Sequence, residues 1–404
     1  MKSNTDVIVA GTGLVGLAAA LALARAGFRV ALAGPKPNGT DRRTTAIMAP
    51  GLDFLDRLGV RAKIERHAAP LREMRIIDIT NRLFRAPPAS FKAREAGLDS
   101  FGWNIPNGAL AAALAGAIEA EPSVTWREAL VEGWRLDGLS ARAGFADGTH
   151  LETRLVAAAD GRNSPARTAA GIAARSRALP QSALVLAFAH SRDHGFTSTE
   201  FHTEQGPFTQ VPLPGRRSSL VWVTRPSEAE RLLGLDDAAL GLAVEAKMQS
   251  MLGQVTVEPG RQVFPLSSAT AERFGARRVA LLGEAGHVMP PIGAQGLNLG
   301  LRDVADLVAL ARLHREDPGS EAFLARYDRA RRADVAIRGA AVALLNGSLL
   351  SSFLPLQMLR GAGLAALNAV PPLRALAMRE GMAPGSGLPG LLDNLRERVG
   401  RQHP

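Results

Sequence analysis

DVIVAGTGLVGLAAALALARAGFRVALAG, residues 6–34, is the stretch whose reading decides the fold. Asp6 to Ala10 predicts a short buried strand. Gly11, Gly13 and Gly16 follow at G-x-G-x-x-G spacing, then an Ala/Leu helix to Ala26 with Gly27 as its C-terminal cap. Arg29 to Ala33 predicts a second, parallel strand. This is the strand–turn–helix–strand unit of a doubly wound α/β sheet, in which the first glycine makes the turn, the second admits a pyrophosphate and the third lets helix and strand pack closely. The backbone at Gly11, Gly13, Leu14, Val15 and Gly16 is therefore a candidate phosphate cradle. Two other readings compete. A Gly-rich turn can be merely buried, and the uncharged run Val7 to Ala24 behind Lys2 resembles a signal peptide or membrane span. Asp6 interrupts the basic flank that a signal needs, and the glycine spacing favours the cradle. The acid that ordinarily ends the second strand and holds a ribose is absent: Gly34 and Pro35 stand there.

The 404 residues suffice for two or three domains. Absence of cysteine excludes disulfides, thiolate metal sites and a cysteine nucleophile, and fits a cytoplasmic chain. The charge of +10 rests mostly on arginine, since only five of the 48 basic residues are lysine. An Arg-rich solvated surface explains this, and an anionic membrane surface is the sharper alternative. A single tyrosine and no basic patch with interleaved aromatics argue against nucleic acid.

Further along, Arg72 to Arg85 has strand character, with a possible turn at Thr80-Asn81. Asn107 is the expected N-cap of a helix to Ala120. Short strands fill Val124 to Ala159, with hairpin turns at Asp137-Gly138 and Asp147-Gly148. Strands return over Ala183 to Arg225, two helices precede Val263, and Val279 to Gly283 is an apolar strand entering a Gly/Pro-rich loop. Helix is expected from Leu297 to about Asn346.

Two more segments carry chemistry. Ala158-Ala159-Asp160-Gly161-Arg162-Asn163-Ser164-Pro165-Ala166-Arg167 is a strand end followed by a helix start. Gly283-Glu284-Ala285-Gly286-His287, followed by Pro290 to Asp303, is a strand, a loop and a helix N-terminus. Such a terminus offers free N–H groups and a positive dipole end, which suit a ring that gains negative charge on reduction.

Together these motifs resemble the class A flavoprotein monooxygenases typified by para-hydroxybenzoate hydroxylase, and within them the ubiquinone-biosynthesis hydroxylases. DRRTTAIM at residues 41–48, GPFTQVPLPGRRSSLVW at 206–222 and GAQGLNLGLRD at 293–303 carry the likeness, which covers nearly the whole chain. It implies a Rossmann-like FAD-binding domain (residues 1–71, 102–175 and 266–345), an interleaved β-sheet substrate domain (72–101 and 176–265) and a C-terminal helical segment (346–404). It further implies that Gly11, Gly13 and Gly16 line the FAD pyrophosphate, and that Arg43 and Asn107 contact FAD. Asp160 and Gly161 belong to the motif shared by FAD and NAD(P)H. Gly283 and Glu284, the latter where the family carries Asp, approach the ribityl chain. Pro291, Gly293, Ala294, Gln295, Gly296, Leu297 and Asn298 wrap the flavin ring. The implied chemistry is reduction of FAD by NAD(P)H or another donor, reaction with O2, and hydroxylation of a polyprenylated phenol by a flavin hydroperoxide.

No catalytic triad or metal site is legible. Pro291 and His287 are the candidates nearest the flavin, with His287 readable as a base or as a structural histidine. His190, His194 and His202 are explained by surface or sheet positions. The tail from Asn346 to Met382 is either a cap or oligomer surface, or an amphipathic face with Arg360, Arg374 and Arg379 near anionic headgroups of the inner membrane. Alternative functions are a hydroxylase of a soluble aromatic acid, a flavin halogenase suggested weakly by Trp103-Asn104-Ile105-Pro106, and a non-catalytic FAD-binding subunit working with other ubiquinone-biosynthesis proteins.

Overall fold

The strand Val7–Ala10 lies in the middle of a six-stranded sheet, between Leu155–Ala158 and Val30–Ala33, all three parallel. The computed structural model describes residues 5–81, 85–291 and 294–350, together with Arg374 and Met378. Val279–Leu281 and Val124–Arg127 extend the parallel ladder on either side, and Gly275–Ala276 adds an antiparallel rim. Val7–Ala10, Val30–Ala33, Leu155–Ala158 and Val279–Leu281 are buried throughout, as near-continuous apolar runs are in a sheet covered on both faces. The glycine-loop helix Leu14–Arg25 packs on one face with the helices Asn107–Glu119 and Gln295–Leu313.

Residues 7–24 are thus a strand, a turn and most of a helix. Among the described residues no helix is long and apolar enough to cross a membrane. Gly27 takes φ +85° just past the helix end, the left-handed position that favours glycine there. The Asp137-Gly138 and Asp147-Gly148 turns join the small antiparallel meander Gly133–Leu136, Ala141–Gly144 and His150–Thr153.

A second, nine-stranded sheet is mostly antiparallel. Its central order is Glu73–Asp78, Thr197–Thr203, Gly206–Leu213, Arg217–Thr224, Ala174–His190 and Gln262–Ala271. One side of it, including Phe201, Phe208, Leu220 and Trp222, forms a separate core with Leu240 and Val244 of the helix Asp237–Lys247 and with Met248 just past its end. Its other side meets a small third sheet of Thr44–Met48, Gly102–Pro106 and Ala69–Pro70, where Ser219 bonds both Thr44 and Asn104.

One expectation is corrected. Asn107 does not cap a helix from outside. The helix begins at Asn107 itself, its N-cap position is Pro106, and the Asn107 amide serves Asp41 and Thr45 instead. Of the two positions open to the histidines, surface or sheet, His190 and His202 take the sheet, in Ala174–His190 and Thr197–Thr203, with His194 in the connection between these strands; His190, His194 and His202 are 5%, 7% and 2% exposed. Each spends at least one ring nitrogen on a neighbour: His190 on Arg192 and Ser218, His194 on Leu213, His202 on Glu200.

Candidate active site

The three motifs meet edge to edge. A Cβ on Gly11, whose φ is +102°, would lie 2.3 Å from the carbonyl oxygen of Ala159, so the first motif presses directly on the second. A Cβ on Gly16 would lie 2.0 Å from the carbonyl oxygen of Gly11. Gly283 and Gly300 both crowd Val15, at 3.1 Å and 2.5 Å by the same construction, which joins the first motif to the third. Arg162 and Glu284 close the circuit with an ion pair at 3.3 Å.

Gly13 differs from its neighbours. A Cβ there would meet nothing within 4 Å, and the helix it opens has no side-chain cap. Bare N–H groups at a helix start, behind an open glycine, form a place for an anion. Asp160 lies beside this turn. Its Oδ2 accepts from the Ala166 amide at 3.0 Å, while Oδ1 is buried with no partner among the described residues. Burial pushes the Asp160 carboxyl above its ordinary range, although hydrogen bonds from Ser164 and Ala166 oppose the shift. An orphaned acceptor next to an open phosphate cradle fits a ligand that brings its own donors, and the residues present fit FAD.

Arg43 and Asn107, 64 positions apart in sequence, converge on one carboxylate. Arg43 donates to both oxygens of Asp41 at 2.8 Å and 2.7 Å, and the Asn107 amide donates to Asp41 at 3.0 Å. Asp41 raises the guanidinium's pKa, and the nearby Glu284 adds to the effect. The sequence pointed to Arg43 and Asn107 but not to the Asp41 that joins them, since its role depends on their meeting.

The end of the second strand is built without an acid. Gly34 has φ +145°, and a Cβ there would press on Thr12 at 2.9 Å. Its carbonyl accepts from Trp126 Nε1 at 3.0 Å. Lys36 follows, over the Trp126 ring at 5.7 Å and paired with Glu119 at 3.0 Å and Glu128 at 3.4 Å. An indole, a lysine and two acids from other elements stand around the place where the ribose-binding acid is missing.

At the loop, Ala294 precedes the helix Gln295–Leu313 in a left-handed conformation, φ 54°, and no side chain caps it. Gln295, Gly296 and Leu297 form its first turn. Asn298 ties that turn to the strand Thr44–Met48: its amide donates to the carbonyls of Ala46 and Ala294, and its oxygen accepts from the Met48 amide at 2.9 Å. Pro291 is exposed, and Gly293 lies outside the described residues. His287 is 3% exposed and points into the protein, with Nε2 at 2.7 Å from Asp303. Asp303, fully buried, also accepts from the Gly283 amide at 2.8 Å and from Arg331 Nε at 2.7 Å. Arg331 reaches Asp306 and Asp334, and Arg338 pairs with Asp334 while donating to Gln295 at 2.7 Å. This buried network bolts the loop to the long helix Glu321–Leu350; Gly283, His287, Gln295 and Asp303 belong to the third motif, whereas Asp306, Arg331, Asp334 and Arg338 lie beyond it.

Of the tail arginines, Arg374 is held on the protein. It pairs with Glu95 at 2.6 Å and lies over the Phe91 ring at 4.8 Å, while Met378 is buried beside Phe101. Arg360 and Arg379 lie outside the described residues.

Comparison with known proteins agrees with this geometry. A family model described as an FAD binding domain matches residues 4–338. The ubiquinone hydroxylase UbiL of Rhodospirillum rubrum is 34% identical over 93% of this chain and 89% of its own length. The 3-demethoxyubiquinol 3-hydroxylase of Escherichia coli is 31% identical, over 93% and 97%. Among solved structures, the p-nitrophenol 4-monooxygenase of Pseudomonas putida superposes with a TM-score of 0.76 over 96% of this chain and 99% of that one, at 21% identity. At that identity the last likeness speaks for the fold.

Proposed function

Because the chain belongs to the FAD-binding family of ubiquinone-biosynthesis hydroxylases, we propose that it hydroxylates the aromatic ring of a polyprenylated phenol on the way to ubiquinone. It is an FAD-dependent monooxygenase, using O2 and electrons from NAD(P)H or another donor. The observation that carries the reading is the closure of three distant motifs around one open glycine turn.

Bound FAD supplies the two-electron chemistry and the activation of O2. This chain's residues bind and orient. Gly13, Leu14 and Val15 offer backbone N–H groups to the pyrophosphate. Asp41 holds Arg43 and Asn107 as one preset polar surface for the cofactor. The first turn of Gln295–Leu313 supplies N–H groups and a dipole for negative charge on the ring. His287 is spent on Asp303, and we assign it the holding of the loop rather than proton transfer. We also propose the division into an FAD domain (1–71, 102–175, 266–345) and a substrate domain (72–101, 176–265), which the two sheets support. The strands Ala174–His190 and Gln262–Ala271 run continuously through its borders.

A polyprenyl chain partitions into the bilayer, so we place the reaction at the inner-membrane surface. Co-sedimentation with anionic vesicles checks this, and a protein that stays in solution at low salt removes it. The pathway is tested by deleting the gene. A prenylated phenol lacking one ring hydroxyl should accumulate; an unchanged quinone profile in a strain with no second hydroxylase rejects the reading.

A further inference from the structure

Glu200 and His202 stand two residues apart on the strand Thr197–Thr203, so they point to the same side of the nine-stranded sheet. Cross-strand register carries that side from Ile76 through Glu200, Thr209 and Val221 to Val185. Ser219, two residues before Val221 and on the same side, bonds Thr44 Oγ1 at 2.8 Å and Asn104 at 3.0 Å. This side therefore looks onto the small sheet of Thr44–Met48 and Gly102–Pro106, whose first strand Asn298 ties to the flavin loop. The opposite side is sealed under helices. On the sealed side Phe201, Phe208 and Leu220 are fully buried; on the facing side His202, Ser219 and Val223 are buried too, whereas all five members of this row are only half-buried. A half-buried, mostly apolar row on the side that meets the small sheet is a surface for an aromatic ring with a hydrocarbon chain. Glu200 is the row's one charged member.

His202 explains how that charge is kept in place. Its Nε2 lies 2.9 Å from Glu200 Oε1, and since a carboxylate only accepts, Nε2 carries the hydrogen and donates. Thr209 Oγ1 donates to the other oxygen at 3.4 Å. His202 is buried, with no partner for Nδ1 among the described residues, while the Glu200 side chain remains 18% exposed. Two donors fix the carboxylate, and each oxygen keeps an acceptor site for something else.

We infer that Glu200 selects the substrate: its carboxylate accepts the hydrogen bond of a phenolic hydroxyl, and His202 is the positioning residue behind it. This rests on the reading of the chain as a phenol hydroxylase and specifies which phenols it takes. A charge-assisted O–H···O⁻ bond is about twice as strong as a neutral one, and it leaves the ring more electron-rich. The same charge repels a substrate carboxylate, so a neutral prenylated phenol is taken in preference to an aromatic acid.

The test uses the FAD-loaded full chain and two probes, 2-geranylphenol and its methyl ether, titrated by the change in flavin absorbance. The ether keeps the shape and loses the donor. Wild type should bind the phenol at least roughly tenfold more tightly, the low end for a hydrogen bond to a charged group. Glu200→Ala should bring the two to within roughly twofold. Glu200→Gln, which keeps the shape without the charge, should cut the preference several-fold. His202→Phe should weaken it, and His202→Gln, which restores an N–H donor, should recover part of it. Flavin-loaded Glu200 variants that keep the full preference, or a wild type that binds both probes equally, overturn the inference while leaving the hydroxylase reading intact. A holoprotein that binds neither probe overturns both.

Discussion

Three glycines with one spacing have different tolerances. Gly16 has the carbonyl oxygen of Gly11 at 2.0 Å from any added Cβ, and Gly11 combines φ +102° with Ala159 at 2.3 Å. Gly13 has open space. Gly16→Ala should therefore destabilise the fold itself, by about 1–3 kcal/mol as overpacking does. Gly13→Val should fold normally and lose flavin. Thermal melting of the apoproteins together with flavin content after reconstitution checks both; a Gly13→Val protein that retains full flavin would show that the open face is not the cradle. At this scale the sequence was readable where chemistry is local. The glycine positions, Arg43, Asn107 and Asp160 could be named from motifs. Asp41's part could not, because it arises only when Arg43 and Asn107 meet. Glu200 and His202 were hidden for a related reason: alternation tells which residues share a face, but not which face meets the strand Thr44–Met48.

Elements were legible where period and turn chemistry agree. The strand–turn–helix at 7–25 and the two Asp-Gly turns follow local rules, and they formed as expected. Asn107 shows the limit: an amide that suits an N-cap is drawn into a tertiary contact with Asp41 and Thr45 once the strand Thr44–Met48 pairs with Gly102–Pro106. The loop helix Gln295–Leu313 depends on a partner that sequence does not announce. Asp303, at its centre, is fully buried and is matched by Arg331 from the long helix, itself 1% exposed. Burial alone would lower Arg331, but the surrounding charges of Asp303, Asp306 and Asp334 overcome it and hold it well above the ordinary range. Arg331→Leu leaves Asp303 buried with only His287 and the Gly283 amide. Breaking one side of such a pair costs about 3–5 kcal/mol. The variant should melt earlier and release flavin faster, because the Gly283 to Gln295 loop hangs on the same carboxylate. Unchanged melting with unchanged flavin release would detach the network from the site.

At the scale of the molecule, a parallel sheet binds and an antiparallel sheet covers. The first was written in the sequence as short apolar strands around a glycine turn, and the second as strands over Ala183 to Arg225 followed by two helices before Val263. How the antiparallel sheet is seated was not, because it is decided by a few long-range contacts such as Ser219 with Thr44 and Asn104 of the small third sheet. That seating puts the half-buried row of Val185, Val221 and Glu200 on the side that meets the strand Thr44–Met48, which we propose faces the cofactor. The central claim is that a ring placed there gains an oxygen atom from O2. The most direct measurement is to reduce the FAD-loaded protein anaerobically with a prenylated phenol bound, admit isotopically labelled O2, and identify the products by mass spectrometry. One labelled oxygen on the aromatic ring is the predicted result; reoxidation that yields only labelled peroxide, with the phenol recovered unchanged, would contradict the claim.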